Sequence, residues 1–324
     1  MDLLTSLFLG TPLWMWLFFV GIVVALLIVD LGLFNKKDHE IGVAESLKLS
    51  AFYLTLGLGF AGFVYWQLGA EATSHYLTAF VVEKTLAMDN VFVIALIFGF
   101  FAIPRMYQHR VLFWGILGVI VLRGLMIGLG ATLVAQYHWV LYIFAAFLMF
   151  TGVKMLFSKE EETNLEDNKA LKFLRRHIRV TDGLRGNRFW VMEKDSKTGK
   201  VVRFATPLLL ALIVIEIADL VFAVDSVPAV FAITTDPFIV YSSNIFAILG
   251  LRALYFALSA ILHRFEYLKY ALAILLVFIG SKVFVADFMG WEKFPAAWSL
   301  GVTLAILAVG VVVSLWKTRK GAHG

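Results

Sequence analysis

Long apolar runs separated by short polar stretches fill most of the chain. Nine can be marked, over residues 14–34, 46–68, 76–103, 110–135, 139–157, 205–234, 238–262, 267–288 and 295–316. Each approaches or exceeds the roughly 20 apolar residues that carry a helix across a bilayer. The first is preceded by MDLLTSLFLGTP, with no Lys or Arg, and no small-residue cleavage site follows it. It therefore reads as a retained span and not as a cleaved signal peptide. The pattern predicts an all-α polytopic membrane protein of about nine transmembrane helices, one membrane domain over 1–324. Within it, 14–68 hold spans 1 and 2, 158–204 form a polar loop, and 295–316 are the last span. Composition agrees: 61% of residues are hydrophobic and 16% charged, against about 45–50% and 25% in soluble domains.

The net charge of +5 would suggest nucleic acid in a soluble protein. Here it belongs to the loops. Twenty-two Lys and Arg fall in the 1–2, 3–4, 5–6 and 7–8 connections and the carboxyl-terminal tail, against Lys293 alone on the opposite side. Positive loops stay in the cytoplasm, which predicts an external amino terminus and a cytoplasmic carboxyl terminus. In the loop 158–204, Lys172, Arg175, Arg176 and Arg179 interleave with Leu171, Leu174 and Ile178, the pattern of a basic interfacial helix. RFWVME and VVRFAT then read as two strands about a Gly-containing turn. Its simplest role is a linker held to anionic lipid. The absence of cysteine removes disulfides, thiolate metal sites and thiol redox chemistry.

The chain also repeats itself. EKTLAMDNVF (83–92) aligns with DLVFAVDSVP (219–228), matching Glu83 to Asp219, Asp89 to Asp225 and Asn90 to Ser226. VLRGLMIG around Arg123 resembles GLRALYFA around Arg252, and FLMFTGVKMLF resembles LLVFIGSKVFV with Lys154 over Lys282. Residues 76–157 (spans 3–5) and 205–288 (spans 6–8) thus read as two copies of a three-helix unit. An odd number of spans per unit inverts the second copy, a common transporter plan with a polar site between the repeats.

Six carboxylates lie inside the spans: Asp30, Glu83, Asp89, Glu216, Asp219 and Asp225. At about 2.5–3.5 kcal/mol each on the mildest insertion scale, they require compensation on the order of 15 kcal/mol. Salt bridges are the plain answer. Lys154 and Lys282 sit near span ends and can snorkel to water, and Lys84 does not face its neighbour Glu83. That leaves Arg123 and Arg252 for six acids, so a cation site is the stronger expectation. On an ideal helix Glu83 shares a face with Asn90, and Asp219 with Ser226, whereas Glu216 and Asp225 lie about 180° apart. Pro228 leaves the carbonyl of Val224 without its helical partner, so a break at Asp225 and Ser226 would let backbone and side chains converge on an ion. All donors are oxygens, which suits Mg²⁺, Mn²⁺ or Ca²⁺ better than Zn²⁺ or Cu⁺. Gly124 and Gly128 form a GxxxG seam, and Trp14, Trp16, Trp291 and Trp298 mark predicted outer boundaries. No P-loop, HExxH, GxSxG or dinucleotide fingerprint occurs, so no enzyme is expected.

At EKTLAMDNVF, at IEIADLVFAVDSVPAVFAITTDPFIVYSSNIFAILGLRALYF and at FIGSKVFVADF the chain resembles the TerC family of bacterial membrane proteins, in its Alx branch. The resemblance implies an inner-membrane location, kinship with LysE-type exporters and export of Mn²⁺ from the cytoplasm. It places Glu83, Asp89, Glu216, Asp219 and Asp225 among the family's motif acids, with Asn90 and Ser226 beside them and Asp30 matching an aspartate of its first span. Proton antiport is the expected energy source, and no cofactor is held permanently. The expected partners are the divalent ion and the lipid bilayer, with a homo-oligomer allowed. The family's names also imply an alternative, a non-transporting sensor or scaffold linked to redox or tellurium stress and acting through the loop 158–204.

Overall fold

The computed structural model describes residues 5–34, 43–137, 139–157, 176, 178–194, 200–258, 268–291 and 294–321. It describes their side chains except those of 30–34, 43, 88, 89, 92, 224, 225, 258, 268, 269, 296 and 318–321. Nine helices are present among these residues: α1 (Leu13–Phe34), α2 (Val43–Phe100), α3 (Arg105–Gln136), α4 (Val140–Phe157), α5 (Pro207–Ile233), α6 (Pro237–Leu249), α7 (Leu251–Leu258), α8 (Leu268–Phe288) and α9 (Ala296–Gly321). Two short hairpins complete the elements: β1 (Leu7–Phe8) with β2 (Thr11–Pro12), and β3 (Trp190–Lys194) with β4 (Val201–Ala205). The chain is an all-α membrane protein; among the described residues seven helices are long and apolar enough to cross a bilayer, and there is a further apolar stretch at Leu13–Val29.

Local chemistry sets the joints. Spans 2 and 3 both lie in α2, which kinks at Gly69 with φ 85° and ψ −176°, a conformation that only glycine adopts without strain. Asp236 caps α6 by accepting from the amides of Phe238 and Ile239, with Pro237 at the first helical position. Gly250 separates α6 from α7 within span 7. Span 6, by contrast, is unbroken: α5 runs through Pro228 to Ile233. The predicted unwinding beside Asp225 is therefore absent, because a membrane helix can absorb one missing amide when neighbouring helices pack around it.

Three buried clusters hold the helices together. One joins α1, α2 and α6 through aromatic contacts such as Phe60 with Phe246, ring centroids 4.6 Å apart. A second gathers α2, α3, α5 and α7 around Ile97, Val111 and Leu208. The third packs α3, α4, α5, α8 and α9 around Ile127, Leu148 and Leu275. Trp16 belongs to the first cluster, edge-on to Phe238 and Tyr241, with its indole N–H donated to the Phe8 carbonyl. It is a core residue and not the boundary anchor expected from its position. Trp291 and Trp298 are exposed. Lys282 does not snorkel either. It is buried and donates to Ser299 Oγ on α9 at 3.2 Å, while its sequence counterpart Lys154 is exposed.

The α4–α8 seam is reciprocal. A methyl group at Gly152 would lie 2.5 Å from the Ala273 carbonyl oxygen and also strike Val277. One at Gly280 would lie 2.5 Å from the Ala145 carbonyl oxygen and also strike Met149. Gly280 stands 128 positions after Gly152, and its contacts Ala145 and Met149 stand the same 128 positions before Ala273 and Val277.

Candidate functional site

Four helices deliver polar side chains to one buried point. Helix α2 brings Glu83 and Asn90, α3 brings Arg123, α5 brings Asp219 and Ser226, and α6 brings Asn244. The seven-residue spacings 83–90 and 219–226 amount to nearly two turns, which is why each helix presents both members to the same neighbour. Arg123, 1% exposed, is the hub. Its Nε and Nη2 form a fork on Asp219, at 3.3 Å to Oδ2 and 3.1 Å to Oδ1. Its Nη1 pairs with Glu83 Oε1 and donates to Ser226 Oγ at 3.0 Å and Asn244 Oδ1 at 3.2 Å. Asn90 Nδ2 completes the ring by donating to Asp219 Oδ1 at 3.2 Å.

The salt-bridge expectation therefore holds for two acids, Glu83 and Asp219. Two carboxylates facing one guanidinium leave one negative charge over when both are ionised. Glu83 Oε2, Asn90 Oδ1 and Asn244 Nδ2 are buried and have no hydrogen-bond partner. An unpartnered polar atom in such a place is a standing cost of about 1–3 kcal/mol, more for a charged one. Two of the three are oxygens that could accept a cation. Among the described residues, no three acidic or histidine side chains already form a group that could hold a metal.

Glu216 stands apart. Its carboxylate lies in a groove of α3 floored by Gly115 and Gly118, and any side chain at Gly118 would collide with it. Both its oxygens are buried without a partner. Glu216 and Asp219 are only about 60° apart around α5, yet of the two only Asp219 meets Arg123. Asp30 lies in α1, Asp89 in α2 and Asp225 in α5, but their side chains lie outside the described residues. Lys84 turns away from Glu83, as adjacent helical residues do, and donates to the Ala247 carbonyl at 3.0 Å. The GxxxG pair of α3 packs on α6, with Tyr241 donating its hydroxyl to the Gly124 carbonyl at 2.6 Å. Asn244 was missed from the sequence, although Ser242, Ser243 and Asn244 form a polar triplet inside an apolar span. Gly115 and Gly118 carried no sequence signal at all.

The model of the TerC family of integral membrane proteins matches residues 68–322. The chain belongs to the TerC family. It is 43% identical over 310 residues to an uncharacterized membrane protein of Myxococcus xanthus, covering 96% of this chain and 94% of that one. It is 45% identical over 316 residues to a Salmonella typhi protein, covering 95% of each, and 44% identical over 316 residues to one of Escherichia coli, again covering 95% of each. Both of these carry the name Alx and a designation as membrane-bound redox modulators. The resemblance to the Alx branch thus extends over most of the chain. No solved structure matches it.

Proposed function

We propose that this TerC protein is a secondary transporter that exports Mn²⁺ from the cytoplasm by alternating access, with proton antiport as the driving reaction. The observation that carries this reading is the Arg123 cluster, a buried point between α2 and α5 where negative charge exceeds positive and two oxygens lack donors. Arg123 is then a resident cation that occupies Glu83 and Asp219 when no metal does. An incoming divalent ion competes with it for the same carboxylates, and Asn90 and Ser226 supply neutral oxygens. The motif acids Asp89 and Asp225 complete the ligand set in this proposal, and Glu216 is a separate acid that can carry a proton. Oxygen donors favour Mn²⁺, Mg²⁺ or Ca²⁺ over softer ions, and the family resemblance selects Mn²⁺ among them.

Two features support alternating access. The repeat aligns Gly152 with Gly280, and the reciprocal α4–α8 seam keeps that register. Exchanging spans 3, 4 and 5 with 6, 7 and 8 also turns the α3–α5 pairing into the pairing of α2 with α6 and α7, all of which are in contact. Both fit two inverted units related by a pseudo-two-fold axis. The Lys and Arg distribution supports an inner-membrane protein with its amino terminus outside. A reporter after Gly324 or near Ser196 should then be cytoplasmic, and one near Asp236 external.

The relatives' redox designation motivates the other reading, a non-transporting sensor. It meets the difficulty that the chain has no cysteine. Flux in proteoliposomes separates the two. Mn²⁺ should cross at a rate proportional to folded protein and faster than Zn²⁺. Intact protein with no flux of any divalent ion would favour the sensor.

A further inference from the structure

The β3–β4 hairpin has one face turned to the body of the protein and one face left open. Antiparallel pairing sets Met192 opposite Arg203 and Lys194 opposite Val201. Because side chains alternate along a strand, Trp190, Met192 and Lys194 share a face with Val201 and Arg203. Apart from the buried Ala205, which pairs with Trp190 at the α5 end, that face is uncovered: Trp190 is 40%, Met192 65% and Val201 63% exposed, and both cations are exposed as well. The Arg203 guanidinium lies 4.2 Å over the centroid of the Trp190 ring. Val191, Val202 and Phe204 on the reverse face are half-buried, and Glu193, the acid of the two strands, is there too, paired with Arg185 at 2.5 Å. Among the described residues the open face therefore holds two cations, three exposed apolar side chains and no acid.

The hairpin is also held close to the membrane. Ala205 is fully buried, and α5 begins two residues later. The Ala205 amide donates to the Arg179 carbonyl at 2.8 Å, and the Thr206 hydroxyl donates to the Arg188 carbonyl at 2.7 Å. Arg110, in the first turns of α3, stacks over Phe189 at 5.4 Å. These ties fix the hairpin beside the amino-terminal ends of α3 and α5. Between Lys169 and Arg203 the sequence holds eleven Lys or Arg and three acids.

We propose that this open face is a docking surface for anionic lipid headgroups of the leaflet from which α5 enters. Trp190 would sit at the level of the headgroups, as interfacial tryptophans do. Met192 and Val201 would cover the upper acyl chains, and Lys194 and Arg203 would meet lipid phosphates, the arrangement of an amphipathic interfacial element. Positive charge beside an anionic leaflet is attractive and falls off within a Debye length, so the contact should depend on lipid charge and on salt.

The natural absence of cysteine makes the test direct. A single Met192→Cys substitution in the full chain is labelled with a polarity-sensitive fluorophore, and the protein is placed in nanodiscs of phosphatidylcholine with or without phosphatidylglycerol. Quenching by lipids brominated high in the acyl chain should be about twofold stronger in the anionic discs, with a blue-shifted emission. Salt at ~0.5 M should abolish the difference, and so should the added pair Lys194→Gln and Arg203→Gln. Equal quenching in neutral and anionic discs would overturn the proposal. A blue shift without lipid quenching would also overturn it, because the face would then be covered by protein.

Discussion

Asp219 and Glu216 lie less than one turn apart on α5, yet their surroundings are opposite. Asp219 receives a two-pronged guanidinium from α3 and an amide from α2. Glu216 meets two glycines of the same α3 and receives nothing. A buried acid with a bonded cation is held in place by that cation, and loss of either partner leaves the other exposed to the full desolvation penalty. A buried acid without a partner gains by becoming neutral. The two acids thus separate what the sequence presented as one group. Asp219 belongs to the ionic hub, and Glu216 to a glycine-floored groove that gives it no partner.

The largest effect should come from removing the hub. Arg123→Met leaves Glu83 and Asp219 buried without their cation and should destabilise the protein by roughly 3–5 kcal/mol, seen as a large fall in melting temperature in detergent. Asp219→Asn keeps the shape and leaves Arg123 its Glu83 partner. It should lose about 1.5–3 kcal/mol, the range for a hydrogen bond to a charged group, and all Mn²⁺ flux. Gly118→Ala should lose about 1–3 kcal/mol by overpacking against Glu216. Glu216→Ala in the same chain should recover most of that loss, since contacting residues couple in a double-mutant cycle. Glu216→Gln alone should leave the melting temperature equal or higher while reducing flux. If it instead destabilises as Asp219→Asn does, the two acids are alike and the comparison fails. Asp287→Asn, at an exposed position on α8, should change stability by no more than about 0.5 kcal/mol and leave flux intact.

The architecture was legible because hydrophobic length is a global signal. The nine apolar runs all correspond to described helices, although spans 2 and 3 share one helix kinked at Gly69, and the strands over RFWVME and VVRFAT appear as β3 and β4. Helical spacing also placed Glu83 with Asn90 and Asp219 with Ser226. What it could not supply was the identity of neighbours across helices. Arg123 could be picked out as a buried cation, but its role as hub depends on how α3 seats between α2 and α5. Asn244 and the Gly115–Gly118 groove meet the buried acids only through that seating. Lys282 and Trp16 were misplaced for a related reason: position along a span gives depth but not the side that is turned inward, and Ser299 and Phe238 supply those sides. The basic segment around Lys172 and Arg176 lies mostly outside the described residues.

In the proposed transport cycle a metal replaces Arg123 as the cation held by Glu83 and Asp219. The most direct test is Mn²⁺ flux into proteoliposomes carrying wild-type protein or Asp219→Asn, normalised to folded protein on the same preparations. Wild type should give robust flux, and Asp219→Asn none even where the variant remains folded. Flux that persists in Asp219→Asn in proportion to folded protein would show that Asp219 serves only to neutralise Arg123 and is no metal ligand.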